Sequence, residues 1–139
     1  MTVLDTNVLS ELMRRSPEPS VVAWMKARPA TDMWTTAITQ AEVLYGVALL
    51  PPSRRRNALE AAAMAVFAEA LEGRVLEFGP EAAIHYAHIA AERRRAGRPI
   101  SHFDAQIAAI ARAAGATVAT RNVSDFEACG VPIENPWRE

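Results

Sequence analysis

Asp5 ends a short apolar stretch, Val3-Leu4, and a helical pattern begins at once with Val8, Leu9, Leu12 and Met13. A strand running straight into a helix opens a βαβ unit. In open parallel sheets, chemistry gathers at the carboxyl ends of the strands. Glu42 lies one turn into the helix expected after the second strand, and Asp104 has the same offset in the helix before the fourth. Asp125 follows that fourth strand by a few residues, with Asn122 between. In a parallel sheet with the first strand central, Asp5, Glu42 and the Asn122/Asp125 turn share one edge, and the helix carrying Asp104 can pack against it. Two charges about 4 Å apart repel by on the order of 4 kcal/mol at an effective dielectric near 20. Several acids in one pocket must therefore share protons or bind a cation. Oxygen donors without histidine suit Mg²⁺ or Mn²⁺ rather than Zn²⁺.

Each acid also has a plainer explanation. Thr39-x-x-Glu42 and Ser101-x-x-Asp104 match the capping box, in which the acid only satisfies free amides at a helix start. Asp5 could be an N-cap, and Asp125 could cap a short turn over Phe126 to Cys129. One detail separates Asp104 from a pure cap: it is in register with Ile107, Ala108 and Ala111, so it points toward the sheet. His85, His88 and Glu92 have a spacing that can bind metal, but half-exposed helical histidines are far commoner. Arg54 to Arg56 and Arg93 to Arg95 read first as solvated helix ends and second as contacts to RNA phosphates. Trp24, Trp34 and Trp137 lie in or beside apolar segments and read as packing residues.

The elements that must position these groups alternate between strand and helix. After the first strand, a helix runs to about Arg15, and Ser20 is a plausible cap for a short helix from Val21 to about Ala27. Met33 to Ile38 is rich in β-formers. Thr39 then opens a helix with Ala41, Leu44, Val47 and Ala48 on one face. A long helix spans about Ser53 to Leu71 and is closed by Gly73. Arg74 to Phe78 is a third strand, and Pro80 suits the first turn of a helix to about Ala96. Ser101 opens a helix through Ala114, Thr117 to Thr120 is a fourth strand, and Val131 to Ile133 is a weak fifth at an edge, where proline is tolerated. This alternation predicts one α/β domain over residues 1–139 with a mainly parallel sheet.

At 139 residues the chain can bury a core without staples. Half of it is apolar and 22% charged, as in ordinary globular proteins. The single cysteine, Cys129, forms no internal disulfide or Cys-based zinc site and fits a reducing cytoplasm. No apolar run approaches the roughly 18 residues of a membrane span. Asp5 comes too early for a signal peptide, so no membrane association is expected. A net charge of −1 argues against a protein coated in positive charge for nucleic acid.

The stretches Val3-Leu4-Asp5-Thr6-Asn7, Ile38-Thr39-Gln40-Ala41-Glu42, Asp104-Ala105-Gln106-Ile107-Ala108-Ala109 and Thr120-Arg121-Asn122-x-x-Asp125-Phe126 resemble those of the PIN-domain nucleases. Among these, the chain is most similar to the VapC/FitB-like toxins of bacterial toxin–antitoxin pairs. The resemblance runs from about Thr2 to Trp137. It implies a three-layer α/β/α sandwich with strand order 3-2-1-4-5. It also implies a Mg²⁺-dependent endoribonuclease acting on RNA, a homodimer, and neutralisation by a cognate antitoxin through which alone it would reach operator DNA. Carried over by position, Asp5, Glu42 and Asp104 match the family's acids, with Asp5 and Asp104 holding the metal. Many relatives have Asp where Asn122 stands, so Asn122 or Asp125 fills the fourth position. Glu42 could orient or deprotonate a water, and Thr6, Asn7 and Thr120 could hold the carboxylates or contact phosphate. Two other functions compete. One is a weakly active or non-catalytic protein working mainly with its antitoxin on operator DNA. The other is a phosphatase with Asp5 as nucleophile, which would want a second acid where Asn7 stands.

Overall fold

A computed structural model describes residues 1–138. Five strands, β1 (Thr2–Leu4), β2 (Met33–Thr36), β3 (Val75–Leu76), β4 (Thr117–Ala119) and β5 (Ile133–Glu134), form one sheet in the order β3-β2-β1-β4-β5. Every pairing is parallel, with Val3 opposite both Trp34 and Val118. The expected sandwich and strand order are therefore those observed.

Alternation along the central strands sorts the core into two layers. Val3 and Val118 face one cluster and Leu4 and Ala119 the other, because successive strand residues point to opposite faces. The first cluster is built with Ala82 and Ile89 of α5 (Pro80–Arg95), Ile107 to Ala111 of α6 (His102–Ala114), and Phe126 of α7 (Val123–Phe126). The second takes Val8 and Leu9 of α1 (Thr6–Leu12), Val21 and Trp24 of α2 (Pro19–Lys26), Val43 of α3 (Ala37–Ala48), and Ala63 of α4 (Arg54–Ala65). Helices thus cover both faces, as an all-parallel sheet requires.

Several boundaries differ from the sequence expectation, each for a local reason. β2 stops at Thr36 rather than Ile38, because the Thr36 hydroxyl accepts from the Thr39 amide at 3.0 Å and starts α3 two residues early. The buried stripe of α3 is then Thr39, Val43 and Val47, not the alanines, and Ala41 and Ala48 are exposed. α2 begins at Pro19 instead of being capped by Ser20, since proline suits the first helical position. α4 passes into a wider π turn over Val66–Ala70 that carries Phe67 into the core. β5 starts two residues later than expected and ends one later, and the Pro132 carbonyl accepts from the Val118 amide at 2.9 Å.

Candidate active site

β1 delivers Asp5 to the middle of the sheet's carboxyl edge, where it caps α1. It is only 4% exposed. Its Oδ1 accepts from the Thr6 amide at 2.8 Å, and its Oδ2 accepts from the Thr120 hydroxyl at 2.8 Å and from Asn7 Nδ2 at 3.4 Å. Oδ2 has both lone pairs engaged, whereas Oδ1 keeps one. Thr120 stands just after β4 and is fully buried. Its oxygen also accepts from Asn7 Nδ2 at 3.3 Å and from the Asn122 amide at 3.1 Å. Asn7 Oδ1 in turn accepts from the Arg121 amide at 3.2 Å. Thr6, Asn7 and Thr120 thus lock the ends of β1 and β4 around one carboxylate.

Glu42 enters from α3. Because Thr36 and not Thr39 caps that helix, Glu42 lies beyond the first turn and the capping-box explanation fails for it. Its Oε1 accepts instead from the Thr6 hydroxyl at 2.9 Å. One residue therefore bridges two acids: Thr6 gives its amide to Asp5 and its hydroxyl to Glu42. Asp104 does sit in a cap, since its amide donates to the Ser101 hydroxyl at 3.2 Å. It is half-buried nonetheless, on the helix whose inner face is Ala105 and Ile107 to Ala111.

Burial and mutual repulsion give the acids their electrostatics. Asp5 is pushed from 3.8 to about 6, mainly by burial, with Asp104 and Glu42 adding repulsion and the Thr120 and Thr6 bonds opposing it. Glu42 is raised by burial and then by Asp104, against the pull of Thr6. Asp104 is raised by burial and by Asp125, while Ser101 and Arg93 draw it down. Asp5, Glu42 and Asp104 accordingly share one field, and Asp125 joins through Asp104. Asn122 lies at the margin: its backbone opens α7, but its exposed side chain makes no capping bond. Asp125 is inside α7 and does not cap a turn over Phe126 to Cys129. Among the described residues, no three Asp, Glu, His or Cys side chains stand close enough to hold one ion by themselves. That includes His85, His88 and Glu92, of which His88 and Glu92 are exposed.

Replacing Thr120 by Val tests the scaffold. The change removes a donor to Asp5 and an acceptor for two further groups. A stability loss of about 1–3 kcal/mol follows, read by denaturant unfolding. The Asp5 pKa moves higher still, and the acid limb of any activity dependent on ionised Asp5 moves up with it. An unchanged acid limb would show that the Thr120 hydroxyl does not set that ionisation.

Arg93 is a residue whose place the sequence hid. It is 5% exposed and belongs neither to a solvated helix end nor to a phosphate contact surface, whereas Arg94 and Arg95 are exposed. Its Nε donates to the Arg98 carbonyl at 2.7 Å, and its Nη1 donates to the carbonyls of Asp125 at 3.0 Å and Glu127 at 2.9 Å. It therefore pins the turn that carries Asp125. A signal was present, because Ala82, Ile89 and Arg93 fall at helical spacing on one buried stripe of α5.

A parallel sheet of this order is the fold of PIN-domain proteins. The PIN domain family model matches residues 2–129, and the chain belongs to that family. It is 42% identical over 137 residues to a protein of Sinorhizobium fredii named VapC ribonuclease Y4jK, covering 99% of this chain and 98% of that one. It is 38% identical over 139 residues to the Toxin FitB of Neisseria gonorrhoeae, covering all of both chains. A solved structure of FitAB bound to an IR36 DNA fragment superposes with a TM-score of 0.92 at 39% identity, covering 99% of this chain and 96% of that one.

Proposed function

We propose that the chain is a divalent-metal-dependent endoribonuclease toxin, cleaving RNA phosphodiester bonds and neutralised by a cognate antitoxin. The observation that carries this reading is the buried Asp5 carboxylate, held by Thr6 and Thr120 and kept unsettled by Glu42 and Asp104. Kinship to a protein named a VapC ribonuclease supports the ribonuclease chemistry, and kinship to Toxin FitB supports the toxin role.

The donor set fits a hard cation. Mg²⁺ is usually bound through one or two carboxylates, with waters and substrate phosphates completing its shell, so a cluster of three touching ligands is not required. Asp5, through the lone pair left on Oδ1, and Asp104 are the residues that would hold it, with Mn²⁺ as a substitute. Asn122 or Asp125 would serve as the fourth group. When bound, such a cation lowers the pKa of water and neutralises charge building on the phosphate. Glu42, raised and half-buried beside Thr6, is suited to take a proton from an attacking water. Thr6, Asn7 and Thr120 hold the acids in place against their repulsion.

A cleft of ≈ 880 Å³ opens beside Thr6 and Glu42 between α1, α3 and α4, with Arg14, Arg15 and Arg55 among its lining residues. It leaves room for a polymer to reach Glu42. Tyr45 on α3 and Leu49 just after its end, one turn apart and each 66% exposed, would be covered in a homodimer, which sedimentation of the free chain measures. Operator DNA would be reached only through the antitoxin. No helix among the described residues is long and apolar enough to cross a membrane, and we place the protein in the cytoplasm.

The test is cleavage of single-stranded RNA by the purified chain in Mg²⁺ and in EDTA. Cleavage in Mg²⁺ that stops in EDTA is expected. No cleavage with either, together with intact antitoxin and operator binding, would establish the non-catalytic reading instead.

A further inference from the structure

A site that gathers four carboxylates repels the phosphates it is meant to receive, so a cation outside the acid cluster is needed at its rim. We infer that Arg121, seated on Trp137, is the residue that holds an RNA phosphate next to the acids; this rests on the ribonuclease reading above. Three observations carry it. The Arg121 amide is bound by Asn7, itself bonded to Asp5 and Thr120, so the residue's backbone is fixed to the frame of the site. Its guanidinium lies over the Trp137 ring, 5.1 Å from the centroid, which limits the conformations of an otherwise free side chain. Arg121 is exposed, and among the described residues no carboxylate forms an ion pair with it. Arg93, by contrast, is buried and its donors are committed to backbone carbonyls.

The chemistry recognised is a phosphodiester of single-stranded RNA. A guanidinium presents a planar fork of donors to phosphate, and stacking on an indole leaves the edge of that fork available. Trp137 is a positioning residue in this scheme: it holds the guanidinium and does not touch the reacting atoms. The closing Asn135-Pro136-Trp137 segment keeps the ring in place, with the Trp137 amide donating to Asn135 Oδ1 at 3.0 Å.

The experiment measures binding of a labelled single-stranded RNA oligonucleotide in EDTA, across a salt series, by the full chain and by Arg121→Gln, Arg121→Lys and Trp137→Leu. One lost phosphate contact flattens the slope of log K against log salt by ~0.7 and weakens binding about fivefold at about 0.1 M salt. Arg121→Gln should show both effects. Arg121→Lys should keep the slope, because it keeps the charge, and Trp137→Leu should keep the slope while losing affinity. In Mg²⁺, Arg121→Gln should raise KM more than it lowers kcat. The backbone amide that Asn7 holds survives in each Arg121 variant, so the scaffold of Asp5 is not the cause of any change. RNA binding by the unaltered chain with an unchanged slope in Arg121→Gln overturns this inference alone. Absence of both RNA binding and cleavage by the unaltered chain overturns the ribonuclease reading with it.

Discussion

Asp5→Asn should lower metal-dependent RNA cleavage by about 10³-fold or more, because charge neutralisation at the phosphate is worth several kcal/mol. The same substitution should make the protein more stable at neutral pH. Raising a carboxyl from 3.8 to about 6 means that its ionised form costs the folded state about 3 kcal/mol. The sign follows from which state holds the proton more tightly. Folded Asp5 does, so its favourable contribution is complete below pH 3.8 and disappears as the pH rises through about 6. Asparagine removes that charge but places an amide nitrogen where Oδ2 accepts from Thr120 and Asn7, so the net gain at pH 7.5 should be about 1–2 kcal/mol. At pH 4 the gain should vanish. A divalent ion relieves the same penalty by favouring the ionised carboxylate, so Mg²⁺ should raise the Tm of the unaltered chain more than that of Asp5→Asn. Thermal unfolding with and without Mg²⁺ at the two pH values measures all of this. Undiminished Mg²⁺-dependent cleavage by Asp5→Asn would end the assignment, and a variant less stable than the parent at pH 7.5 would show that the carboxylate is not strained.

Much of this site could be read from the chain because strand ends and helix starts leave local marks. Val3-Leu4-Asp5 announces a strand that stops at an acid, and Ser101-x-x-Asp104 announces a helix start, and both stand where expected. The strand order could not come from periodicity, which is silent on which strands neighbour each other; it came from the resemblance. For Glu42 the capping-box alternative fails and its place among the acids stands, because Thr36 and Thr39 are both good caps and Thr36 is the one that starts α3. Thr36 takes the role because it ends β2, where its hydroxyl accepts from the Thr39 amide at 3.0 Å. The bond from Thr6 to Glu42 joins residues 36 apart in sequence and has no local signature. Arg121 on Trp137 is likewise a long-range contact, invisible until β4 and the closing segment are side by side.

Arg93→Met should be the most destabilising of the single changes considered, at about 3 kcal/mol. A buried guanidinium is tolerated here because its Nε and Nη1 donors reach three carbonyls, two of them in the segment after Asn122. Methionine fills similar volume but leaves those carbonyls without donors, and each uncompensated buried polar group costs about 1–3 kcal/mol. For a chain of this length the expected fall in Tm is about 10 °C. Arg93→Lys should recover little, since one ammonium cannot reproduce the fork of a guanidinium. Arg93→Met also removes the positive charge that draws Asp104 down, so Asp104 should take up its proton at higher pH. Any cation held by Asp104 would then bind more weakly at mildly acidic pH than it does to the unaltered chain. Unfolding followed by circular dichroism reads the first effect, and titration of Mn²⁺ at pH 6 and pH 8 reads the second. A Tm within about 2 °C of the parent would mean that the turn carrying Asp125 holds itself, without the arginine beneath it.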